Sequence, residues 1–482
     1  MSKRPAASAS RVLLVHPPTG LYIREDRCQS YIGRGKVADD IRPPMEIAYA
    51  AALLERAGIR CLIRDYPVEG GTLATFKRDL EIFRPDMLVL SCVSPSIDKD
   101  LATCRIAKSV VPDVITVARG THFLLFDEPA LNTYPDLDFA VRGESEYTLL
   151  ELALGTAHSS IRGLSYRCNG TPRRSPDRPF IENLDELPFP ARHLLCNDLY
   201  VRADTGEPQA TIQTSRGCPY RCVFCLTKAV SGTRLRARSP GTIAAEIREC
   251  VEAHRIRNFF FRSDTFTVDR QWALAVCREL IEQRMDIQWV CSSRVDTLDD
   301  ELLHSMKRAG CWGISLGVES GSPEMLSKMR KGITLDRALE AVRLCRKHGI
   351  VSFTYFVLGL PWETRTTMEE TFRFSRRLDS DLVEYYFAYP YPGTDLYDYV
   401  SAHGLLQGLP PESQAAPAFD TFWLKKHEME RLRKRALARF YLRPRHLART
   451  AARIRTGDQA VRFVQLAWRA FKKNYLPTKE RP

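Results

Sequence analysis

The sequence predicts an α/β protein of three parts: a doubly wound, Rossmann-like N-terminal domain, a partial (β/α)6 TIM-type barrel, and a C-terminal helical region. Three observations carry this. Short apolar runs alternate with helix-length periodic segments, the pattern of parallel sheets covered by helices. The alternation occurs twice, once before residue 155 and again between Ala210 and about residue 395. At 482 residues, the chain also exceeds what one hydrophobic core usually serves. The expected division is residues 1–155, a linker at 156–205, a barrel at 206–395 and a basic helical region at 396–482.

Taken in order, the first strand is RVLLVH, Arg11 to His16. Pro43 and Pro44 then precede MEIAYAAALLERAG, whose Ala/Leu-rich face and terminal Gly58 are helix start and stop signals. Strands follow at Cys61 to Asp65, Asp86 to Ser91, Val114 to Ala118 and Asp138 to Val141. A polar, proline-rich stretch from about Arg162 to Arg192 reads as linker. The barrel strands are Ala210 to Ser215, Asn258 to Arg262, Ile287 to Ser292, Trp312 to Val318, Ser352 to Leu358 and Leu382 to Phe387. Beyond them, Lys425 to Leu442 and Gln459 to Phe471 carry apolar residues at helical spacing: Met429, Leu432 and Phe440, then Phe463, Ala467 and Phe471.

In doubly wound sheets ligands lie beyond the carboxyl ends of the strands. Here those ends run into His16-Pro17-Pro18-Thr19, Ser91-Cys92-Val93-Ser94, Gly120-Thr121-His122 and Arg142-Gly143-Glu144. Loops of this kind suit a large cofactor, and they equally suit simple turns.

Composition excludes several classes. With 44% hydrophobic and 27% charged residues the chain is neither disordered nor collagen-like. MSKRPAASAS lacks the apolar core of a signal peptide, and no uncharged apolar run approaches the ~20 residues that span a bilayer. The expected location is the cytoplasm, where 14 cysteines read as thiols and metal ligands in place of a disulfide framework.

Directly after the first barrel strand stands TSRGCPYRCVFC, with Cys218, Cys222 and Cys225 in C-x3-C-x2-C spacing. Iron–sulfur clusters are held by cysteine thiolates, and a [4Fe–4S] cube with three of them leaves one iron free for another ligand. A closed zinc site needs a fourth ligand. Phe224 inside the loop would shield a cluster from water.

This triad, its place after the first barrel strand and the segments that follow resemble the radical S-adenosylmethionine (SAM) superfamily across residues 210 to 395. The resemblance implies a [4Fe–4S] cluster on Cys218, Cys222 and Cys225 that cleaves SAM to methionine and a 5′-deoxyadenosyl radical, the cofactors supplying the difficult chemistry. It further implies that Arg294 and Glu319 meet the carboxylate and ammonium of SAM, a barrel salt bridge being their plainer role. By the same resemblance, Gly359 and Pro361 of VLGLPWET lie near the adenine, and the YPYPGT segment from Tyr389 to Thr394 is a substrate-side loop. Asp264 sits where related enzymes often carry paired acids, here Ser263-Asp264.

The order of domains is similar to the branch that places a cobalamin-binding domain before the barrel, which includes methyltransferases and magnesium-protoporphyrin ester oxidative cyclase-like proteins. In that branch Thr19, Ser91, Val93, Ser94, Gly120, His122, Gly143 and Glu144, with Glu146, would surround the corrin. The Asp-x-His-x-x-Gly segment that gives many cobalamin domains a lower ligand to cobalt is missing, and neither His16 nor His122 fits it. The resemblance implies a C-methyltransferase acting on an unactivated carbon through methylcobalamin and the 5′-deoxyadenosyl radical. Oxidative ring formation or rearrangement without methyl transfer is the alternative within the branch, and a non-catalytic cobalamin- or cluster-binding sensor the alternative outside it. The implied partners are a small-molecule substrate of lipid, isoprenoid or natural-product type and an external electron donor such as flavodoxin or ferredoxin.

Net charge is +13, yet between Lys425 and Pro482 stand 18 Lys/Arg against 4 Asp/Glu. The C-terminal region therefore carries essentially all of the excess, which suits contact with an anionic membrane surface, or a solvated face packed on the barrel. No recognised RNA-binding module accompanies this charge, which argues against nucleic acid.

Overall fold

The computed structural model describes residues 8–25, 28–31, 41–406 and 416–452, with scattered positions to 464. The first strand, β1 (Arg11–His16), is followed by a two-stranded antiparallel ribbon, β2 (Tyr22–Glu25) and β3 (Cys28–Tyr31). After it come β4 (Arg60–Asp65), β5 (Met87–Ser91), β6 (Ile115–Arg119), β7 (Phe139–Val141), β8 (Leu164–Cys168) and β9 (Thr171–Arg174). The first sheet has the order β4-β1-β5-β6-β7-β8-β9. Its strands run parallel from β4 to β7, and β8 and β9 add an antiparallel hairpin. Because the chain winds outward on both sides of β1, the crevice between β1 and β5 is the switch point at which such sheets bind ligands.

Val12, Leu13, Leu14 and Val15 are all fully buried, as a parallel strand covered on both faces requires. Ala48, Ala51 and Leu54 of the helix Met45–Arg56 join Val12, Leu14 and Val89 in one core layer, and Phe76, Leu80 and Leu101 join Leu13 and Leu88 in the other.

The second sheet follows β10 (Gln209–Gln213). A small hairpin, β11 (Ser215–Arg216) with β12 (Arg236–Ala237), brackets the cysteine loop. The remaining strands are β13 (Asn258–Arg262), β14 (Gln288–Arg294), β15 (Cys311–Glu319), β16 (Val351–Leu358) and β17 (Leu382–Phe387). The order β10-β13-β14-β15-β16-β17 is parallel and sequential, a six-stranded partial barrel. Trp289 stacks on Phe261 at 4.4 Å inside a continuous apolar core beneath the strands. The strand positions agree with the sequence reading to within about two residues.

The stretch read as linker is structured. It supplies β8 and β9 to the first sheet and then three short 3-10 turns, Leu184–Glu186, Arg192–Leu194 and Asn197–Leu199. Arg192 is fully buried and donates to Glu246 (2.6 Å) and to the Thr211 carbonyl (2.6 Å), and Arg238 pairs with the other oxygen of Glu246. Polar composition concealed this because its arginines are spent on buried carboxylates and not on solvent.

The helix Lys426–Tyr441 lays Met429, Ala436 and Phe440 into the barrel core, and the Tyr441 hydroxyl donates to the Val383 carbonyl at 2.7 Å. The helix Pro444–Ala451 follows. Of the expected helix from Gln459 to Phe471 only Ala460, Val461 and Val464 are described, each helical; Phe463, Ala467 and Phe471 fall outside the described residues. Among the described residues no helix is long and apolar enough to cross a membrane.

Candidate active site between the two sheets

The cysteine loop leaves β11 at Gly217, whose φ of +89° is left-handed. A Cβ there would sit 2.0 Å from the Arg234 carbonyl, so only glycine lets the loop turn this sharply. The Cys218 N–H donates to the Gly232 carbonyl (3.2 Å) and the Cys225 N–H to the Cys222 carbonyl (3.1 Å), fixing both ends. Asp264, at the end of β13, spans the loop. One carboxylate oxygen accepts from the Gly217 N–H (2.7 Å), the other from the Thr227 hydroxyl (3.0 Å), and Thr227 in turn accepts from the Cys225 thiol (3.3 Å). The acid that stands where related enzymes often carry a pair is thus a brace for the loop.

The three thiols are partly buried and interact electrostatically, Cys218 and Cys222 each with Cys225. Burial pushes the Cys222 thiol up to about 11 against the opposing pull of Lys331, so a thiolate here calls for a cationic centre. Among the described residues no three His, Cys, Asp or Glu side chains converge as a single-ion cage. Half-buried Phe224 lies in an apolar cluster with Leu226, Leu360, Tyr389 and Tyr391, and with Leu124 from the first domain. Three thiols, with no histidine or carboxylate bonded to them among the described residues, and an apolar flank fit an iron–sulfur cube with one open iron.

Arg294 and Glu319 do not pair with each other. Arg294 holds Asp296 through two bonds (2.9 and 2.8 Å), donates to the Lys331 carbonyl (2.7 Å) and lies 3.6 Å over the Tyr220 ring. Glu319 stands at φ +65°, where β15 bulges, and accepts from the Lys331 ammonium at 2.7 Å. Lys331 is buried and within electrostatic reach of both Cys222 and Arg294. Sequence reasoning missed it, because KMRKGIT looks like a surface loop. These groups offer an acid and two cations beside the thiols, the charge set that an amino-acid head group needs.

On the barrel's far side, the Gly359 N–H donates to Glu363 (2.5 Å) and the Pro361 carbonyl accepts from the Phe422 N–H (3.0 Å), so this turn is held from within. Glu363 is completely buried, and burial raises its carboxyl to about 8. The native state therefore keeps a proton that the unfolded chain releases near pH 4.5. Stability is expected to fall as pH rises from about 4.5 to 8, by up to about 1.4 kcal/mol per unit, and to level off above. Urea unfolding at pH 5.5, 7 and 8.5 measures this. Glu363→Gln, neutral throughout, should flatten the slope; an unchanged slope would place its origin elsewhere.

The loops of the first sheet gather around a buried pair that the sequence did not reveal, Arg24 with Asp100 at 2.7 Å. Arg24 also donates to the Ser91 carbonyl (3.0 Å) and to the Thr19 hydroxyl (2.9 Å), and the Val93 N–H donates to Asp100 (3.3 Å). Ser91 takes a further bond from Arg119 (3.3 Å). Gly120, at φ +132°, passes so close to Cys92 that a Cβ would lie 2.3 Å from its carbonyl oxygen. His122 contacts Ser94 (3.1 Å), and burial lowers it to about 4, leaving a neutral imidazole at pH 7. His16 faces Asp65 at 3.3 Å. Thr19, Ser91, Val93, Ser94, Gly120 and His122 thus form one shelf at the switch point.

Gly143 and Glu144 lie to one side. Glu144 is bound by Arg236 (2.8 Å) and Arg216 (3.1 Å), and Glu146 by Arg216 (2.6 Å). These pairs tie the loop after β7 to the strands that bracket the cysteine loop. Between the two sheets lies a narrow polar cleft lined by Glu46, Arg119, Glu146, Arg216, Arg262 and Asp264 among others.

Replacing Asp264 removes the brace. Asp264→Ala is expected to leave two loop donors without an acceptor, about 1–3 kcal/mol each if they stay dry, and to lower iron retained after anaerobic reconstitution several-fold with circular dichroism unchanged. Full iron content would show that the loop holds itself.

Two family models match the chain: the radical SAM superfamily over residues 212–375 and the B12 binding domain over residues 34–153. An uncharacterized methyltransferase of Pyrococcus horikoshii is 33% identical over 446 residues, 91% of this chain and 94% of its own length. The anaerobic magnesium-protoporphyrin IX monomethyl ester cyclase of Rubrivivax gelatinosus is 28% identical over 398 residues, 80% of this chain and 69% of its own. The cobalamin-dependent SAM radical enzyme OxsB, solved with aqua-cobalamin and SAM bound, has the same fold, with a TM-score of 0.75 at 17% identity over 98% of this chain and 72% of that one. The chain belongs to the radical SAM superfamily. Its B12-binding domain places it in the cobalamin-dependent branch, whose cofactors are a [4Fe–4S] cluster, SAM and cobalamin. Cys218, Cys222 and Cys225 fit the cluster.

Proposed function

We propose that the protein is a methyltransferase that modifies an unactivated carbon of a small molecule, using SAM, the cluster and cobalamin. The observation that carries this reading is that the loop after β7 in the first sheet is tied, through Glu144 and Glu146, to Arg216 and Arg236 on the strands that bracket the cysteine loop of the barrel. The bound cofactors supply hydrogen-atom abstraction and methyl transfer. The residues of the chain position and exclude. Asp264 and Gly217 shape the cysteine loop, while Arg294, Lys331 and Glu319 offer complementary charge to the amino-acid end of SAM. Thr19, Ser91, Val93, Ser94, Gly120, His122 and Gly143 would hold the corrin. Gly359 and Pro361 would receive the adenine. Phe224, Leu124, Tyr389 and Tyr391 keep water from the space between. Reducing equivalents come from an external donor of the flavodoxin or ferredoxin kind.

The test is anaerobic reconstitution with iron, sulfide and hydroxocobalamin, followed by mass spectrometry of the products of SAM with candidate lipid, isoprenoid and natural-product acceptors. S-adenosylhomocysteine and 5′-deoxyadenosine together with a methylated acceptor are expected. 5′-Deoxyadenosine with an oxidised or cyclised acceptor and no methyl gain would move the protein to the cyclase reading, which the Rubrivivax relative supports. Absence of SAM cleavage with every reductant and acceptor would leave a cofactor-binding sensor.

A further inference from the structure

The helix Lys426–Tyr441 has two unlike faces. Met429, Ala436 and Phe440 enter the barrel core. On the opposite side His427, Arg431, Arg435 and Arg439 are exposed at intervals of four residues, so they form one stripe along the helix. Most basic residues nearby are occupied: Arg443 and Arg449 reach Asp379, and Arg433 lies over the Phe387 ring. Among the described residues Arg431, Arg435 and Arg439 have no acidic partner. Large apolar side chains stand exposed at both ends of the stripe, Trp423 (70% exposed) and Phe422 before it, Leu442 (69%) and Leu447 after it.

A solvated helix face needs charge but gains nothing from exposed tryptophan and leucine. Nucleic acid would take the arginines and leave Leu442 and Leu447 in water. An anionic bilayer surface uses both, because arginines meet the phosphate layer while tryptophan and leucine enter the interface. The position also has meaning. The Phe422 N–H is bonded to Pro361 and the Thr421 hydroxyl to the Glu363 carbonyl, so the Trp423 loop is fastened to the turn that follows β16. That turn lies at the carboxyl end of the barrel strands, the end that also carries the cysteine loop.

We propose that the stripe Arg431, Arg435 and Arg439, with Trp423, Leu442 and Leu447 at its ends, docks the flank of the barrel onto an anionic lipid surface, the Trp423 end lying at the barrel mouth. The binding requires no SAM and no turnover, so it stands or falls separately from the methyltransferase reading.

The experiment is co-sedimentation of the full-length reconstituted protein with vesicles of phosphatidylglycerol and phosphatidylcholine, against vesicles of phosphatidylcholine alone. Binding to the anionic vesicles is expected, weakening as salt rises. Arg431→Gln/Arg435→Gln/Arg439→Gln should weaken it about a hundredfold, since each basic residue near such a surface contributes roughly a factor of five. Trp423→Ser should weaken it with the salt dependence unchanged. Iron content, cobalamin content and thermal midpoint serve as folding controls and should match the parent protein. Failure to sediment with anionic vesicles, equal binding by the triple variant, or tighter binding to RNA than to vesicles would each overturn the proposal.

Discussion

Changing any one of Cys218, Cys222 and Cys225 to alanine is expected to abolish 5′-deoxyadenosine formation, with the product falling to the blank. Two thiolates cannot hold a cube that needs three protein ligands to keep one iron open. The effect is on the site and not on the fold, because all three residues lie in a loop held by backbone bonds from Cys218 to Gly232 and by Asp264 at Gly217 and Thr227. Iron per chain should drop with cluster absorbance, while circular dichroism and cobalamin binding stay as in the parent. A single alanine variant that keeps a cluster and cleaves SAM would remove this triad from the active site.

Glu246→Ala is expected to have the largest effect on stability. This fully buried acid sits between Arg192 of the connecting segment and Arg238 beyond the cysteine loop, at 2.6 Å from the first. Removing it leaves two buried guanidinium groups facing each other, and breaking a buried pair on one side costs about 3–5 kcal/mol. A urea melt should show the unfolding free energy falling by that amount, seen as a lower midpoint at an unchanged slope. Arg192→Met, which removes a charge with it and keeps volume, should restore part of the loss in the double variant. A loss under about 1 kcal/mol would mean that water reaches the site.

The barrel was legible because each parallel strand is a short apolar run with a helix-length segment behind it, and the cysteine motif because its three ligands lie within eight positions of sequence. The connecting segment was not. Its order depends on Arg192 meeting Glu246 and on the hairpin of β8 and β9 pairing with β7, contacts that composition does not announce. Arg24 with Asp100 and Lys331 with Glu319 were hidden for the same reason: each joins residues of separate elements, and each pair is buried. Glu144 is legible as a strand-end residue, but its sequence position does not announce the two arginines that hold its carboxylate.

Those two arginines, Arg216 and Arg236, follow the first sheet in the chain. During synthesis from the amino end, the strands through β9 are complete while Glu144 and Glu146 still face water as ordinary hydrated carboxylates. Their dehydration waits for β11 and β12, so the cysteine loop is the late keystone of the assembly.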